Sequence, residues 1–372
     1  MKILQVTNIV SHHQLPVARQ ILQSLGEENF RFAATQKQLE ERKNMGWNME
    51  EKESWILNAG ESDSDRQSFE EWWDGADVVI TGEFLPEMID RRLRNQKLTF
   101  YMSERWWKEP IGKWRLLSPK HLLRSKKIRA LSNSNYFHYL AIGGLAHSDM
   151  KLIAPFPGRM WRWGYFTALP EIREEPSRDA DPIKIMWAGR MLDWKRVDTL
   201  IDAASKLQQD YPNIFLTIIG MGSEKEKLEK LASEKMDKEK FEFLPPQPVS
   251  EIMEFMKQHH IYVLPSTGCE GWGAVVNEAL ALGCAVVASE KAGSSASLIQ
   301  HRENGMLFAP GDSKQLHAQL LELCKQPQLM KELSHNGQET IWEVWSPEIA
   351  SARLISTCRS LLSGGSSDQY SK

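Results

Sequence analysis

The stretch from Ile261 to Ser289, IYVLPSTGCEGWGAVVNEALALGCAVVAS, decides the fold of the second half of the chain. Its first four residues form an apolar run of the length of a buried parallel strand, and Pro265 ends it. A helical pattern begins near Ala274, and a second apolar run predicts the next strand from Ala285 to Ala288. The pattern therefore predicts a strand–loop–helix–strand unit with polar residues where the first strand ends. In open α/β sheets, ligands bind outside this edge.

The loop between the first strand and the helix has the composition of an anion site. Its glycines let backbone N–H groups approach a ligand closely, and the helix behind it presents a positive dipole end. Glu270 in the loop and Glu278 eight positions later add two carboxylates. These would repel an anion, but they accept hydrogen bonds from hydroxyl groups. A diphosphate between two polyols, which is a nucleotide sugar, fits both features.

These residues resemble a known motif. Pro265-Ser266, Glu270-Gly271-Trp272-Gly273, Glu278-Ala279 and Gly283 are similar to the E-x7-E signature of the GT4 family of retaining glycosyltransferases, which have the GT-B fold. The resemblance implies that Glu270 contacts the donor sugar and that Glu278 holds the ribose diol. It implies that the loop amides of Gly271, Trp272 and Gly273 contact sugar and phosphate. It also implies a front-face displacement with no metal and no cofactor.

Further positions match the family pattern at the ends of other predicted strands. Arg190 and Lys195 lie where family members place cations against the donor diphosphate, and fixed cations stabilise the charge on a leaving diphosphate. Gly220 and Gly222 resemble the turn near the nucleotide, although a tight turn alone explains them equally well. Ser294 and Ser295 lie in a loop that resembles the family's loop over the phosphates but lacks its usual acid, and their hydroxyl groups are candidates to donate to phosphate.

Length and composition favour an ordinary globular enzyme of two domains. The chain has 372 residues, 41% hydrophobic and 26% charged, with a formal charge of −3, which gives no support to a nucleic-acid partner. Four cysteines lack a C-x-x-C pairing and indicate reduced thiols. No run approaches the ~20 apolar residues of a membrane span. The first residues, MKILQVTN, lack a signal-peptide core, so we expect a cytoplasmic protein.

Alternating strands and helices predict two Rossmann-like, doubly wound α/β domains. The resemblance to GT-B enzymes implies that these domains face each other across a cleft and that the last helix returns to the first domain. We expect an N-terminal domain over 1–165, a linker over 166–182, a nucleotide-sugar domain over 183–345, a helix over 346–362 that returns to the first domain, and a disordered tail over 363–372. In the N-terminal half, apolar runs predict strands at 2–7, 30–35, 77–81, 98–102, 128–131 and 151–154.

The predicted first domain offers its own candidates for acceptor handling. Many relatives carry a catalytic-site His after the fourth or fifth strand, but this chain has Glu104 and Arg105 there. Glu104 is a candidate to orient the acceptor or the transferred sugar, and a structural ion pair is the alternative. His12 and His13 lie in the first loop, where they contact acceptor or phosphate or have no role at all.

Residues 105–129 combine nine Lys and Arg with one acid, Glu109, and with three interleaved tryptophans, Trp106, Trp107 and Trp114. This composition suits an anionic membrane surface at the inner face of the membrane, and through it a lipid-linked acceptor. It would also suit single-stranded nucleic acid, which the rest of the chain does not support. A solvated basic face over tryptophans in the core explains it equally well.

A metal is the other way to hold a diphosphate, and two D-x-D patterns occur. Asp63-Ser64-Asp65 and Asp179-Ala180-Asp181 lie in polar stretches that do not follow an apolar strand. We interpret both as solvated loops.

The sequence therefore predicts a metal-independent hexosyltransferase of the retaining type. It would move a sugar from a nucleotide sugar, UDP first and GDP next, to a saccharide or lipid-linked saccharide acceptor in surface polysaccharide biosynthesis. Two alternatives stay open: a GT-B-type sugar-nucleotide epimerase, and a non-catalytic sugar-nucleotide-binding partner of another transferase. Incubation with donor alone separates transfer from epimerisation.

Overall fold

In the computed structural model of the chain, the described residues are 1–37, 53–109, 111–173, 178 and 181–365. Their contacts divide the chain into two units. Unit 1 holds residues 1–107, 111–168 and the segment from Ser346 onward, and unit 2 holds residues 108–110 and 169–345. Each unit is built on one parallel sheet, and within the described residues helices connect the strands on either side of it, as the alternating sequence pattern predicts.

The sheet of unit 1 has seven strands among the described residues, in the order β3-β2-β1-β4-β5-β6-β7. The strands are β1 Ile3–Thr7, β2 Phe30–Ala34, β3 Ile56–Asn58, β4 Val78–Thr81, β5 Leu98–Ser103, β6 Phe137–Ile142 and β7 Met160–Trp163. All residues of β1, β4 and β6 are buried, as expected for strands covered on both faces. The apolar runs in the sequence predict such strands well for this reason.

The helices of unit 1 begin at recognisable signals. They are α1 Leu15–Leu25, α2 Asp63–Gly75, α3 Pro86–Arg94, α4 Pro119–Leu131, α5 Gly144–Ile153 and the C-terminal α13 Pro347–Leu362. Proline lies in the first turn of α1, α3, α4 and α13, where its missing N–H has no cost. Ser346 caps α13 by accepting from the amide of Ile349 at 3.3 Å. The buried face of α13 packs against α1.

In the described part of unit 2, the sheet has six strands in the order β10-β9-β8-β11-β12-β13. They are β8 Ile183–Arg190, β9 Ile214–Met221, β10 Phe241–Leu244, β11 Ile261–Leu264, β12 Ala285–Ser289 and β13 Met306–Phe308. The helices are α6 Val197–Asp210, α7 Lys225–Lys235, α8 Val249–Gln258, α9 Val275–Ala281, α10 Ser295–Leu298, α11 Ser313–Lys325 and α12 Pro327–Glu339. Counted along the chain, the strand order is 3-2-1-4-5-6, the order of a dinucleotide-binding sheet.

Two of the strand predictions for unit 1 are wrong. Residues 128–131 form the end of helix α4, and residues 151–154 follow or close helix α5. The strands that pair in the sheet are β6 and β7, which come later in the chain. Short apolar runs have the same composition in a buried helix turn and in a strand, so periodicity alone does not separate them. The short strand β3 was not predicted, because a polar stretch surrounds it.

Other expectations also need correction. Trp106 and Trp107 are buried at 8% and 4% exposure, so of the three tryptophans in 105–129 only Trp114 is exposed. Asp63 and Asp65 lie in the first turn of α2 rather than in a loop, and the Asp65 carboxylate accepts from the Asn58 amide at 3.0 Å. Acids in a first helical turn complement the helix dipole, which explains this D-x-D pattern without a metal.

Several predictions fall wholly or partly outside the described residues. Asp179 and Ala180 are outside them, and so is the tail from residue 366 onward. The linker predicted over 166–182 is described only in part, so its boundaries stay a prediction. Within the part of the chain that is described, none of the helices combines the length and the apolar character that crossing a bilayer requires.

Candidate active site

The carboxyl edge of the unit 2 sheet contains the point where the strand order reverses. Strand β8 pairs with β9 on one side and with β11 on the other, so the loops after β8 and β11 leave neighbouring strands in different directions. Crevices at such a switch point bind ligands in open α/β sheets. Lys195 lies in the short helical turn Asp193–Lys195 after β8, and Glu270 lies in the loop after β11.

These two loops are joined by an ion pair. The ammonium group of Lys195 contacts the Glu270 carboxylate, and both side chains are largely buried, at 14% and 11% exposure. Ser266 donates its hydroxyl to the same carboxylate oxygen at 3.0 Å. The amide of Thr267 donates to the carbonyl of Trp194 at 2.9 Å, which ties the loop backbones together. The structure thus brings two of the predicted site residues into direct contact.

The cation also rests on an aromatic ring. The Lys195 nitrogen lies 4.6 Å from the ring centroid of Trp194, so the ammonium is held between a carboxylate and a π face. Removing one partner of such a sheltered pair leaves the other charge uncompensated, which costs about 3–5 kcal/mol when the pair is buried. The pair therefore fixes a positive and a negative group side by side at the switch point.

Trp272 anchors the glycine loop from inside. Its side chain is 1% exposed, its indole N–H donates to Asn277 Oδ1 at 2.8 Å, and its ring stacks on Trp345 with centroids 5.9 Å apart. Gly273 has a φ of +90°, a conformation that a residue without Cβ adopts at little cost. Any contact of Gly271, Trp272 and Gly273 with a ligand therefore comes from their backbone groups, and the buried Trp272 ring supports this part of the loop.

The loop after β12 braces the glycine loop. The amide of Ser294 donates to the Trp272 carbonyl at 2.9 Å, and its hydroxyl donates to the Gly273 carbonyl at 3.1 Å. A Cβ on Gly293 would lie 2.0 Å from the Gly271 oxygen, so only glycine permits this approach. Ser295 is also fully buried, and its hydroxyl has no hydrogen-bond partner among the described residues. Both serines are buried, and the Ser294 hydroxyl is used in its hydrogen bond to the Gly273 carbonyl.

Glu278 lies in the first turn of α9 and is 7% exposed. Burial raises the pKa of its carboxyl from the ordinary 4.5 to about 7, because the charged form loses its hydration. A buried acid gains most from a ligand that supplies hydrogen bonds to its charged form. A pair of hydroxyl groups is such a ligand.

The ends of β8 and β9 hold the remaining candidate residues of unit 2. Arg190 is the final residue of β8 and is exposed, opposite Met221 in the register of β9. Gly220 and Gly222 flank Met221, and a Cβ on either would lie 1.9 Å or 2.2 Å from a carbonyl oxygen of the β8 end. The two glycines therefore serve close backbone packing, which supports the tight-turn interpretation. The predicted roles of all these residues toward a ligand stay predictions.

In unit 1, the loops after β1 and β5 hold the remaining candidates. Glu104 Oε1 accepts a hydrogen bond from the Tyr165 hydroxyl at 3.1 Å, and the Tyr165 ring stacks against His13 with centroids 5.8 Å apart. Tyr165 thus links two predicted residues, and the sequence offered no signal for it, because it lies in an irregular segment after β7. Burial lowers the pKa of His12 to about 4, so its imidazole is neutral near pH 7.

His13 and Arg105 are the other two candidate residues of unit 1. Burial, together with the charge of His12, lowers the pKa of His13 to about 3. Arg105 Nε lies 3.6 Å from the carboxylate of Asp149, which also accepts from the amides of Trp106 and Trp107 at 2.9 Å and 3.0 Å. Arg105 therefore takes part in an arrangement that holds the loop after β5 in place.

Sequence comparisons point to unit 2. Residues 169–340 match the profile of the family Glycosyl transferases group 1. An uncharacterized glycosyltransferase of Haemophilus influenzae is 30% identical over 43% of this chain and 47% of its own length. A lipopolysaccharide core biosynthesis glycosyltransferase, LpsE of Rhizobium meliloti, is 26% identical over 54% of this chain and 55% of its own. The chain spans about half the length of these curated relatives.

Structural comparisons cover nearly the whole chain. HepE of Anabaena, solved in complex with UDP, has a TM-score of 0.70 at 14% identity and covers 97% of this chain and 100% of its own. Sucrose-phosphate synthase of Thermosynechococcus elongatus has a TM-score of 0.68 at 16% identity, over 98% and 100%. At such identities the likeness shows the fold alone. The predicted fold class is confirmed: two Rossmann-like α/β domains with parallel sheets, as in GT-B glycosyltransferases.

Proposed function

We propose that this protein is a retaining glycosyltransferase that moves a hexose from a UDP-sugar to a saccharide or lipid-linked saccharide hydroxyl in surface polysaccharide biosynthesis. The observation that carries the proposal is the sheltered pair of Lys195 and Glu270 at the switch point of unit 2. This pair lies inside the stretch that matches Glycosyl transferases group 1. The UDP assignment draws support from the UDP bound to HepE.

The proposal gives each group of the donor one partner. Arg190 and Lys195 compensate the charge of the diphosphate, so the chemistry is assigned to fixed cations rather than to a metal or cofactor. Glu278 accepts hydrogen bonds from the ribose hydroxyls, and Glu270 from the transferred sugar. The glycine loop offers backbone to sugar and phosphate, and Ser294 keeps that loop in place.

The reaction balances without a covalent intermediate. The bond between the anomeric carbon and the phosphate oxygen breaks, and a bond from that carbon to the acceptor oxygen forms on the same face. The acceptor proton passes to the leaving phosphate oxygen. Glu270 orients the sugar instead of attacking it, because its carboxylate is already held by Lys195 and Ser266. Acceptor binding is assigned to unit 1, through Glu104, His12 and His13.

Donor binding and product formation test the proposal together. A panel of nucleoside diphosphate sugars is screened by thermal shift, because a ligand that binds only the folded state raises the melting temperature. Glu278→Ala is expected to weaken donor binding roughly 10–100-fold, the value of hydrogen bonds to a charged group. Arg190→Ala is expected to lower turnover roughly a hundredfold with little effect on folding.

Lys314→Ala is the matched control, since Lys314 is exposed and lies away from the β8 and β11 loops in the sequence. Product analysis of donor incubated alone tests for an epimer, and the anomeric configuration of the product tests retention. If no nucleoside diphosphate sugar shifts the melting temperature, and both site variants turn over like wild type, the proposal is wrong.

A further inference from the structure

The segment from Ile111 to Leu123 concentrates exposed apolar side chains on unit 1. It comprises the helical turn Gly112–Leu117 and the first part of α4. Six of the twelve large apolar residues that are exposed in the described chain lie here, and we call them the apolar ridge: Ile111, Trp114, Leu116, Leu117, Leu122 and Leu123. Trp114 and Leu117 are 74% and 76% exposed. Soluble proteins rarely gather such residues without a partner.

Other residues attach this segment to unit 1, so the ridge residues are not needed for that. Ile128 on α4 is fully buried. The Arg124 guanidinium donates to the Tyr101 hydroxyl at 2.6 Å and lies over the rings of Phe84 and Trp106, 5.4 Å and 4.9 Å from their centroids. The ridge is thus the outer side of an element whose inner side is already packed.

The surroundings of the ridge are positively charged. Residues 110–135 contain seven Lys and Arg and no Asp or Glu, in a chain whose formal charge is −3. Lys113, Lys120, Lys126 and Arg129 are exposed, and among the described residues none of them has an ion-pair partner. Lys127 differs, because it pairs with Glu87 at 2.7 Å. Four cations therefore face solvent around an apolar strip.

We propose that the apolar ridge docks on an anionic phospholipid bilayer. Bulky side chains next to lysines match the boundary between acyl chains and phosphate headgroups, and charge complementarity selects anionic lipid. A strand of RNA would call for several aromatic stacking surfaces, but five of the six ridge residues are aliphatic. This inference stands independently of the proposed enzyme activity, although it would bring a transferase to a lipid-linked acceptor.

Vesicle co-sedimentation of the full chain tests the docking. Wild type is expected to bind vesicles of phosphatidylcholine mixed with phosphatidylglycerol, to bind phosphatidylcholine alone weakly, and to lose binding as salt rises. The variant Trp114→Ser/Leu117→Ser should bind at least tenfold more weakly, because it loses buried apolar area. The triple variant Lys113→Glu/Lys120→Glu/Lys126→Glu should lose roughly a hundredfold, since each cation near the surface contributes about fivefold.

Matched controls come from helix α5 of the same unit. Leu152 is 60% exposed and Lys151 is exposed beside it, so Leu152→Ser and Lys151→Glu change the same residue types away from the ridge. Both should bind vesicles like wild type. Failure of wild type to bind anionic vesicles overturns the proposal, and so does equal binding by the ridge and control variants.

Two further measurements test whether the apolar ridge binds something other than a bilayer. Binding of polyuridine, without vesicle binding, would assign the ridge to nucleic acid. Dimerisation in sedimentation that the Trp114→Ser/Leu117→Ser variant abolishes, again without vesicle binding, would assign it to a second copy of the chain. Because these assays need no sugar donor, they keep their meaning even if the protein transfers no sugar.

Discussion

Glu278 provides the sharpest quantitative prediction of this structure. Its carboxyl is buried on α9, and burial raises its pKa to about 7. Replacing it by glutamine keeps the size and removes the charge. We therefore expect Glu278→Gln to change how the stability of the protein depends on pH, with a sign and a size that follow from the two pKa values.

The size follows from proton linkage. Between pH 4.5 and about 7 the folded state holds a proton that the unfolded state has lost, so the free energy of unfolding falls as pH rises. The full shift corresponds to about 3 kcal/mol, and about 2 kcal/mol of it develops between about pH 5.5 and pH 8. Glu278→Gln should lack this loss and be the more stable of the two proteins at the higher pH.

Thermal melting at these two pH values is the assay. For a cooperative unit of the size of unit 2, about 2 kcal/mol corresponds to roughly 5 °C in melting temperature. The relevant quantity is the difference between wild type and Glu278→Gln at each pH, because other groups titrate equally in both. Glu290→Gln, at an exposed glutamate, is the control and should follow wild type. Parallel melting curves for wild type and Glu278→Gln would refute the reasoning.

The same carboxyl predicts how donor binding depends on pH. UDP-glucose has no phosphate that titrates near neutrality, so its affinity reports the protein. If the ribose hydroxyls need an ionised acceptor, affinity should fall about tenfold at one pH unit below the pKa of about 7. Titration calorimetry measures this, and Glu278→Gln should show weak binding that does not change with pH.

Three further predictions concern the neighbouring residues. Gly293→Ala should weaken donor binding at least tenfold, because its Cβ would lie 2.0 Å from a loop carbonyl, whereas Gly75→Ala has open space and should be neutral in donor titrations. Lys195→Met should cost about 3 kcal/mol in denaturation, and the double variant with Glu270→Gln should cost less than the sum, because no charge is then left unpaired. Tyr165→Phe should raise the acceptor KM with donor affinity unchanged, since it removes one hydrogen bond worth about 1 kcal/mol.

The sequence predicted the centre of the unit 2 sheet well because β11 and β12 are buried along their whole length. Strand β11 begins and ends with the apolar run Ile261–Leu264, and β12 covers the predicted run from Ala285 to Ala288 and extends it by one residue. Continuous apolar runs bounded by proline or glycine leave little ambiguity there. The run at 128–131 lacked such bounds, whereas the run at 151–154 is followed by Pro155, and both belong to helical ends instead.

The site was predictable only where chemistry and strand ends coincide in the sequence. Lys195 and Glu270 were singled out because their positions after predicted strands match the pattern of the family that the sequence resembles, and their contact follows from the adjacency of β8 and β11. The stacking of the buried Trp272 ring on Trp345 could not be predicted, because the two residues lie 73 positions apart in the sequence. Tyr165 was missed for the same reason, since its contacts to Glu104 and His13 are distant in sequence.

Hydrogen bonds between the loops explain how segments without regular secondary structure hold charged side chains in fixed positions. The loop after β8 is tied to the loop after β11 through Trp194 and Thr267, and that loop is tied to the one after β12 through Trp272 and Ser294. Each tie is a backbone hydrogen bond, so it fixes the loop without using a side chain that a ligand needs. Because the loops are already ordered in the folded protein, binding a ligand loses little further conformational entropy. Preorganised charges also stabilise a transition state without rearranging. The proposed transfer reaction at this edge would therefore depend as much on these supporting residues as on the charged groups themselves.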